Sequence, residues 1–351
     1  MRELAGRGHQ VVVVATEAMS EDRRKLGWAA PSVGAARIIL RPGPEQVRQI
    51  VKSSAPDSIH LIAGARGTPL GKQVARACRA AGRRMGIISE SPDARGFGGP
   101  LRWIKYAGER ISLGGHFDFI LAMGQRGVHW FKLCGYPAAR ISPFAYVTDR
   151  LAHDSKIECH STFRFLFIGQ LITRKGVDVL LKALVRVPRV ELIVIGDGPE
   201  KEKLQELARN SGIADRVFWL GQMGAAQVHD RILEADALVL PSREDGWGAV
   251  VNESLMAGTP VICSTACGAA ELIRHLWLGT VFPENQVAAL AEAMAHWSAQ
   301  GKVSAEHRLR VRNWAQCVEA PQVGGYVEKI LTHIYEGGPR PQAPWHRSSA
   351  Q

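Results

Sequence analysis

Two adjacent cations, Arg174 and Lys175, are the first side chains in this sequence that suit chemistry on an anion. They follow an apolar run over 163–168 and Gly169, and they stand just before a segment with helical periodicity. A guanidinium and an ammonium both bind phosphate oxygens, and a helix N-terminus adds about half a positive charge. The spacing therefore predicts a phosphate site where a strand ends. Two exposed basic residues in a loop would be the plainer interpretation.

A second group, in 241–253, combines carboxylates with glycines. Asp245 precedes a predicted helix over 249–257, and Glu253 stands on the second turn of that helix, so the two carboxylates can flank a ligand at its N-terminus. Gly246 and Gly248 allow the backbone to approach that ligand closely. Carboxylates accept hydrogen bonds from the hydroxyls of a ribose or a hexose. The alternative is a capping role for Asp245 and a solvated position for Glu253.

A third group, the glycine turn at 195–199, superficially suggests a dinucleotide-binding fingerprint. The spacing fails, because Lys201 follows where a closing glycine is needed. The pattern predicts a tight turn after a strand. A nicotinamide-dependent oxidoreductase is accordingly a weak alternative function.

Short apolar strands alternate with amphipathic helices on both sides of these groups. This alternation predicts an α/β fold of two doubly wound, Rossmann-like parallel sheets that face a cleft and are joined near 142–161. The predicted strands and helices are 10–15, 59–63, 71–81, 85–89, 119–123, 127–134, 163–168, 176–184, 190–195, 200–210, 217–220, 237–240, 249–257 and 261–263. Ligands of such sheets bind at the carboxyl ends of the strands, where all three groups stand.

Composition sets the class of protein. The 351 residues are 46% hydrophobic and 22% charged, which fits a soluble protein of about two domains and excludes disorder as the main state. We find no apolar run of membrane-spanning length and expect no cleavable signal peptide. The six cysteines contain no C-x-x-C pair, which argues against a zinc site and favours a reducing cytoplasm.

Positive charge is concentrated in the first half of the chain. Residues 1–150 hold 23 Lys or Arg and 11 Asp or Glu side chains, a net charge of +12, whereas residues 151–351 have a net charge of −1. Such a half could attract an anionic membrane surface or substrate, or it could be an Arg-rich solvated surface. We expect no nucleic-acid partner, because the sequence has no dense Lys/Arg tract, no RNP-like motif and no zinc-finger spacing.

Taken together, the three groups resemble the donor-binding half of glycosyltransferase family 4, over residues 163–300. The motifs that carry the resemblance are a G-x-L-x-x-[RK]-K-G loop at 169–176, the turn 195–199, Phe218–Gly221, Ala235–Ala237, Pro241–Ser242, an E-x7-E-like stretch at 245–253, and Ala257–Ile262. The first half resembles the family more loosely, through residues 7–11 and 145–149. The resemblance implies the GT-B fold, a nucleotide-sugar donor, and transfer with retained anomeric configuration.

The resemblance also implies roles for individual residues. Lys175 and Arg174 would hold the donor diphosphate, Asp245 would contact the sugar hydroxyls, and Glu253 would contact the ribose. The other residues placed in the donor site are Gly169, Glu244, Gly246, Trp247 and Gly248. The family needs no metal, and we expect neither a metal site nor a cofactor in this chain.

Three departures from the family pattern stand out. Asp245, with Glu244 beside it, replaces the usual first glutamate, and Gln170 replaces an arginine for which Arg174 could compensate. The chain also opens at Met1 on what resembles the end of the family's first helix. We therefore expect the first strand of the first domain, with its glycine-rich loop, to be missing. The alternative function that follows is a truncated, inactive glycosyltransferase remnant that binds nucleotide or a partner.

The acceptor side is expected in residues 1–150. Glu90 follows a predicted strand and is our candidate for orienting or deprotonating the acceptor hydroxyl, beside Asp245 as the second catalytic carboxylate; His116 and His129 are further possible bases. The donor domain is predicted over 151–315, C-terminal helices that pack back on the first domain over 316–336, and a loose tail over 337–351. The overall expectation is a cytoplasmic enzyme, peripheral at an anionic membrane, that builds a surface polysaccharide on a glycan or lipid-linked acceptor.

Overall fold

The computed structural model describes residues 1–19, 21, 32–64, 68–90, 101, 103–104, 106–108, 117–148 and 160–346. Backbone contacts divide these residues into two compact units. The first unit contains the described residues up to Ala145 and those from Ala320 onward, and the second unit runs from Tyr146 to Glu319.

The first unit is built on parallel strands. Its strands are β1 (Val12–Ala15), β2 (Arg37–Leu40), β3 (Ile59–Ala63), β4 (Arg84–Ser89), β5 (Phe119–Met123) and β6 (Ile141–Phe144). Four of them form a sheet in the order β3-β4-β5-β6, and β1 and β2 form a separate parallel pair. Every residue of β5 is buried, as expected for a central strand covered on both faces.

The first unit begins with a helix, and further helices follow β2, β3 and β5. They are α1 (Arg2–Gly6), α2 (Pro44–Ser53), α3 (Pro69–Ala80) and α4 (Gly124–Leu133). Helix α3 begins where the sequence provides a cap, because the Thr68 side chain accepts a hydrogen bond from the Gly71 N–H at 3.0 Å and Pro69 occupies the first helical position.

The second unit is a six-stranded parallel sheet. Its strands are β7 (Phe163–Ile168), β8 (Val190–Ile195), β9 (Val217–Gly221), β10 (Ala237–Leu240), β11 (Val261–Ser264) and β12 (Gly279–Phe282). Their order is β12-β11-β10-β7-β8-β9, so β7 and β10 are neighbours at the centre. The four inner strands are nearly continuous apolar runs and are almost fully buried, as expected for strands covered on both faces, whereas the edge strand β9 exposes Phe218 and Leu220. The prediction of two doubly wound parallel-sheet units is confirmed.

The helices of the second unit are α5 (Val177–Val185), α6 (Lys201–Asn210), α7 (Ala225–Glu234), α8 (Ala249–Ala257), α9 (Val287–Ala299) and α10 (Ala305–Ala315). Helix α8 has the predicted bounds. It ends at Gly258, whose φ of +89° suits glycine and which has no room for a side chain, since an added Cβ would lie 2.6 Å from the Arg308 carbonyl oxygen.

The last described segment belongs to the first unit. It contains α11 (Ala320–Glu336), in which the Tyr326 hydroxyl donates to the Pro143 carbonyl at 3.1 Å and the Tyr335 hydroxyl to Asp118 at 2.9 Å. The prediction of a loose tail is wrong for residues 337–346. Trp345 is fully buried, and the Arg340 guanidinium donates to the Ile141 carbonyl at 2.6 Å, so an aromatic anchor and an ion-dipole contact hold this Pro- and Gly-rich stretch. Residues 347–351 lie outside the described part of the chain.

No helix in the described part of the chain is long and apolar enough to cross a membrane.

Candidate active site

Residues 169–176, here called the phosphate loop, follow the central strand β7. The loop contains a single 3-10 turn, Thr173–Lys175, and ends at Gly176, whose φ is +69°. A Cβ at Gly176 would lie 2.2 Å from the Pro241 carbonyl oxygen, so only glycine permits this approach. Helix α5 starts at the next residue, which places Arg174 and Lys175 just before a helix N-terminus, as the sequence predicted.

The glycine turn 195–199 supports the phosphate loop. A Cβ at Gly196 would lie 1.9 Å from the Gly169 carbonyl oxygen, and a Cβ at Gly198 would lie 2.5 Å from that of Leu171. Hydrogen bonds from the Leu171 N–H to the Asp197 carbonyl at 2.9 Å, and from the Gly169 N–H to the Ile195 carbonyl at 3.0 Å, join the two segments. The glycines thus allow two backbones to pack face to face. The tight turn lies at 198–201, slightly later than predicted, where the Lys201 N–H donates to the Gly198 carbonyl at 3.1 Å.

Residues 241–248, here called the carboxylate loop, follow the neighbouring strand β10. The Asp245 N–H donates to the Ala266 carbonyl at 3.0 Å, and the Gly268 N–H donates to the Asp245 carbonyl at 3.1 Å. Both backbone groups of Asp245 are therefore fixed by the segment after β11. Gly248 caps α8 with a φ of +91°, and a Cβ there would lie 2.7 Å from Cys267 Sγ and 3.7 Å from Asp245 Oδ2.

The two loops meet at an ion pair. Lys175 Nζ lies 2.5 Å from Asp245 Oδ2, and the two side chains are 15% and 11% exposed. The carbon atoms of the Lys175 side chain pass Gly169 at the end of β7. Burial of this kind strengthens the attraction between the charges and limits where the ammonium can go. The structure thus brings together a predicted diphosphate cation and a predicted sugar-binding carboxylate.

Arg174 and Glu244 face each other at the exposed edge of the same contact. Arg174 Nη1 donates to the Glu244 carbonyl at 2.9 Å, and the Arg174 carbonyl accepts from the Arg243 N–H at 2.8 Å and the Glu244 N–H at 3.4 Å. Arg174 therefore joins the two loops, and its exposed side chain leaves further donors of the guanidinium fork facing solvent.

Glu253 lies on α8 and is half-buried. Desolvation by burial raises the pKa of its carboxyl group above the ordinary value. A carboxylate held in such surroundings binds ligand hydroxyls with little competition from water.

Trp247 is placed differently from the prediction. Its side chain is 1% exposed, and its Nε1 donates to Asn252 Oδ1 at 2.7 Å, while Asn252 Nδ2 donates to the Tyr146 carbonyl at 2.8 Å. The indole is therefore packed inside the second unit and does not face a donor. Burial of so large an aromatic ring stabilises the folded state. Asn252 and Cys267 support this tryptophan, and no sequence motif points to either residue. The Cys267 Sγ donates to the Trp247 carbonyl at 2.8 Å.

The candidate acceptor-side residues lie in the first unit. Glu90 follows β4 directly and is half-buried, and Ser89 Oγ donates to its carbonyl at 3.0 Å. His129 is exposed on α4, and His116 lies outside the described residues. Within the described part of the chain, no group of three or more His, Cys, Asp or Glu side chains is arranged to hold a metal ion.

This geometry suits a charged phosphate ester that carries hydroxyl groups. A fixed ammonium, an exposed guanidinium and two helix N-termini supply positive potential at the carboxyl ends of β7 and β10. Asp245, and Glu253 on α8, are carboxylates that can accept hydrogen bonds from hydroxyl groups.

Known proteins share both the sequence pattern and the fold. Residues 152–316 match the family described as Glycosyl transferases group 1. The GDP-mannose-dependent alpha-(1-6)-phosphatidylinositol monomannoside mannosyltransferase of Mycobacterium tuberculosis is 31% identical over 180 residues, which cover 45% of this chain and 47% of that protein. The chain spans about a third to a half of the length of the curated relatives it matches.

Two solved structures superpose on most of the chain. The apo form of the lipopolysaccharide outer core galactosyltransferase WaaB has a TM-score of 0.69 at 16% identity and covers 92% of this chain and 99% of its own. Anabaena HepE in complex with UDP has a TM-score of 0.70 at 17% identity and covers 92% of this chain and 100% of its own. The chain therefore has the GT-B fold that these structures share, and its residues 152–316 are similar to the glycosyl transferases group 1 family.

Proposed function

We propose that this protein is a retaining glycosyltransferase that moves a sugar from a nucleotide-sugar donor. The observation that carries the proposal is the contact of Lys175 with Asp245 at the ends of two adjacent central strands, beside the glycine-capped N-terminus of α8. Lys175 and Arg174 bind the diphosphate, Asp245 binds the sugar hydroxyls, and Glu253 binds the ribose. The relation to HepE, which was solved with UDP, supports a nucleotide donor.

The chemistry follows from where charge develops. When the bond between sugar and phosphate breaks, negative charge collects on the leaving diphosphate, and fixed cations lower the energy of that transition state more than that of the ground state. No metal or other cofactor is needed for this step. The resemblance to family 4 supports retention of the anomeric configuration, which NMR of the anomeric proton in the product tests directly.

The acceptor is a glycan or a lipid-linked glycan of a surface polysaccharide, with Glu90 as the residue that orients or deprotonates its hydroxyl. The mycobacterial mannosyltransferase acts on a phosphatidylinositol monomannoside and WaaB is a lipopolysaccharide outer core galactosyltransferase, and both support this class of acceptor. Replacing Glu90 with Gln keeps the size of the side chain and removes the base. We expect it to lower kcat more than donor affinity.

The test of the whole proposal is a panel of nucleotide sugars, screened first for thermal stabilisation and then for transfer. A matching donor raises the melting temperature in proportion to the logarithm of its concentration. Stabilisation followed by turnover supports a transferase. Stabilisation without turnover on any acceptor tried favours the inactive remnant, and no stabilisation by any nucleotide sugar contradicts both.

We also propose that the enzyme is cytoplasmic and peripheral at an anionic membrane. The net charge of +12 in residues 1–150 supports this attraction.

An exposed apolar patch in the first unit supports contact with a membrane: Leu101 and Ile104 are 69% and 59% exposed on a helical stretch. Tyr106 packs that stretch onto Trp130, with ring centroids 5.4 Å apart, so at 100° per residue the two aliphatic side chains point away from the core. Arg102 and Lys105 occupy the same stretch of sequence.

Sedimentation with vesicles tests the attachment. We expect recovery with vesicles containing phosphatidylglycerol, little with pure phosphatidylcholine, and a large loss in the double variant Leu101→Ser, Ile104→Ser. Leu309→Ser is the matched control, because Leu309 is 51% exposed in the second unit. Equal recovery with both lipids, or an equal effect of the control, contradicts the proposal.

A further inference from the structure

Arg243 connects the two loops of the candidate active site although no sequence motif singles it out. Its guanidinium binds the Asp178 carboxylate with both ends, Nη1 to Oδ1 at 2.7 Å and Nη2 to Oδ2 at 2.8 Å. Asp178 lies in the first turn of α5, directly after the phosphate loop. The two parallel hydrogen bonds of the guanidinium therefore hold the carboxylate loop to the start of that helix and restrict both its distance and its orientation.

The same arginine also holds the 3-10 turn that carries Lys175. Its Nη1 donates to the Thr173 carbonyl at 2.7 Å, and its backbone N–H donates to the Arg174 carbonyl at 2.8 Å. Burial alone raises the pKa of Asp178, but hydrogen bonding and charge from Arg243, with a smaller contribution from Lys182, together hold that pKa below its ordinary value. The pair is accordingly ionised at neutral pH.

These contacts lie on both sides of Lys175 in the sequence, and Lys175 is the cation proposed to bind the diphosphate. Lys175 stands between Thr173 and Asp178 in sequence, and Arg243 contacts both of those residues. A lysine side chain is flexible, and an error of about 1 Å in placing a charge can cost on the order of 100-fold in rate. A rigid support for its backbone is thus of direct use to the site.

We propose that Arg243 is a positioning residue that acts through Asp178 and Thr173 to hold Lys175 against the donor diphosphate. This inference rests on the proposed function and deepens it. Arg243 itself needs no contact with the donor. A lysine cannot replace it, because an ammonium lacks the planar fork that spans both carboxylate oxygens and the carbonyl.

The test compares Arg243→Ala and Arg243→Lys with Arg164→Ala. Arg164 is a matched control: it pairs with Glu191 at 2.6 Å, the two side chains are similarly buried, and it lies at the amino end of β7, away from the loops. We expect both Arg243 variants to raise the donor KM by about 10- to 100-fold, and the control to leave it unchanged. Melting temperature and circular dichroism establish that each variant is folded.

Two further measurements separate positioning from general stability. Hydrogen exchange of the amides of residues 173–176 should become faster in Arg243→Ala and not in Arg164→Ala. Guanidinium ion at millimolar concentration should restore part of the activity of Arg243→Ala and none of that of Lys175→Ala.

The outcomes are distinct. Wild-type donor KM in both Arg243 variants overturns this inference and leaves the proposed function standing, as does an equal rise in KM in Arg164→Ala. A wild-type protein that binds no nucleotide sugar removes the proposed function and this inference with it.

Discussion

Lys175 Nζ and Asp245 Oδ2 lie 2.5 Å apart although 70 residues separate them in the chain. Parallel strands bring this about, because β7 and β10 are neighbours and both loops leave the same edge of the sheet. Each side chain partly neutralises the other, so neither charge is isolated before a ligand arrives. A donor that presents a diphosphate to Lys175 and hydroxyls to Asp245 would replace one buried contact by several.

Lys175→Ala is expected to remove donor turnover. The change deletes the charge that stabilises the leaving diphosphate and leaves Asp245 without its cation. Loss of one such contact costs about 2.7–4 kcal/mol of transition-state stabilisation, or roughly 100- to 1,000-fold in kcat/KM. Steady-state kinetics with the donor identified by the screen provides the measurement.

Lys182→Ala is the control for that variant. Lys182 lies 3.5 Å from Asp178, its side chain is 52% exposed, and exposed pairs of this kind contribute about 0.5 kcal/mol or less. Activity near that of wild type is expected here. If the two lysine variants lost activity equally, the role given to Lys175 would be refuted.

The sequence predicts the strands and the loops well, for a physical reason. Continuous apolar runs of four to six residues between turn signals are typical of buried parallel strands, and Gly258 followed by Pro260 is a typical stop signal at the point where α8 ends. The positions of Arg174, Lys175, Asp245 and Glu253 relative to these elements follow directly.

The contacts between distant side chains could not be predicted. Nothing in the spacing of Arg243 and Asp178 indicates that they pair, since that depends on which strands are neighbours and on how the loops turn. The burial of Trp247 could not be predicted for the same reason. A tryptophan between two glycines suits either a ligand-binding surface or a core, and it is the hydrogen bond from its N–H to Asn252 that allows the buried position. Trp345 shows the converse, since one buried aromatic side chain fixes a tail whose composition suggests disorder.

Asn252→Ala should destabilise the second unit without deleting any residue proposed to touch the donor. It leaves the buried Trp247 N–H without its acceptor and the Tyr146 carbonyl without its donor, which costs about 1–3 kcal/mol for a buried group. Urea unfolding measures the loss. Combined with Trp247→Phe, which removes the same N–H, the effects should be less than additive; full additivity would show that this hydrogen bond contributes nothing.

Glu253→Gln is expected to raise stability while it lowers activity. Burial raises the pKa of Glu253, so the folded state favours the protonated form. The stabilisation from this group is complete below its ordinary unfolded pKa and is lost as pH rises through the raised folded value. At neutral pH the neutral amide should therefore stabilise the protein by on the order of 1 kcal/mol, while the ribose loses its charged acceptor.

Thermal unfolding between pH 4 and pH 8 checks this sign. The gain in melting temperature of Glu253→Gln over the wild type should become smaller toward acid pH. Glu206→Gln, a change at an exposed position on α6, is the control and should show no such trend. An advantage that grew toward acid pH would contradict the assigned direction of the shift.

Gly248→Ala should be far more damaging than an alanine at another glycine of similar conformation. Gly248 and Gly301 have φ values of +91° and +78°, so both substitutions carry the cost of a left-handed backbone, about 1–2 kcal/mol. At Gly301 the added Cβ meets nothing within 4 Å, whereas at Gly248 it lies 2.7 Å from Cys267 Sγ and 2.9 Å from Leu240 Cδ2. Overpacking adds about another 1–3 kcal/mol there, and relief of the clash must displace the cap of α8 beside Asp245.

Stability against chemical unfolding and donor affinity should therefore both be reduced in Gly248→Ala, whereas donor affinity should be unchanged in Gly301→Ala. Equal stability loss in the two variants would mean that the space around the cap is not restricted.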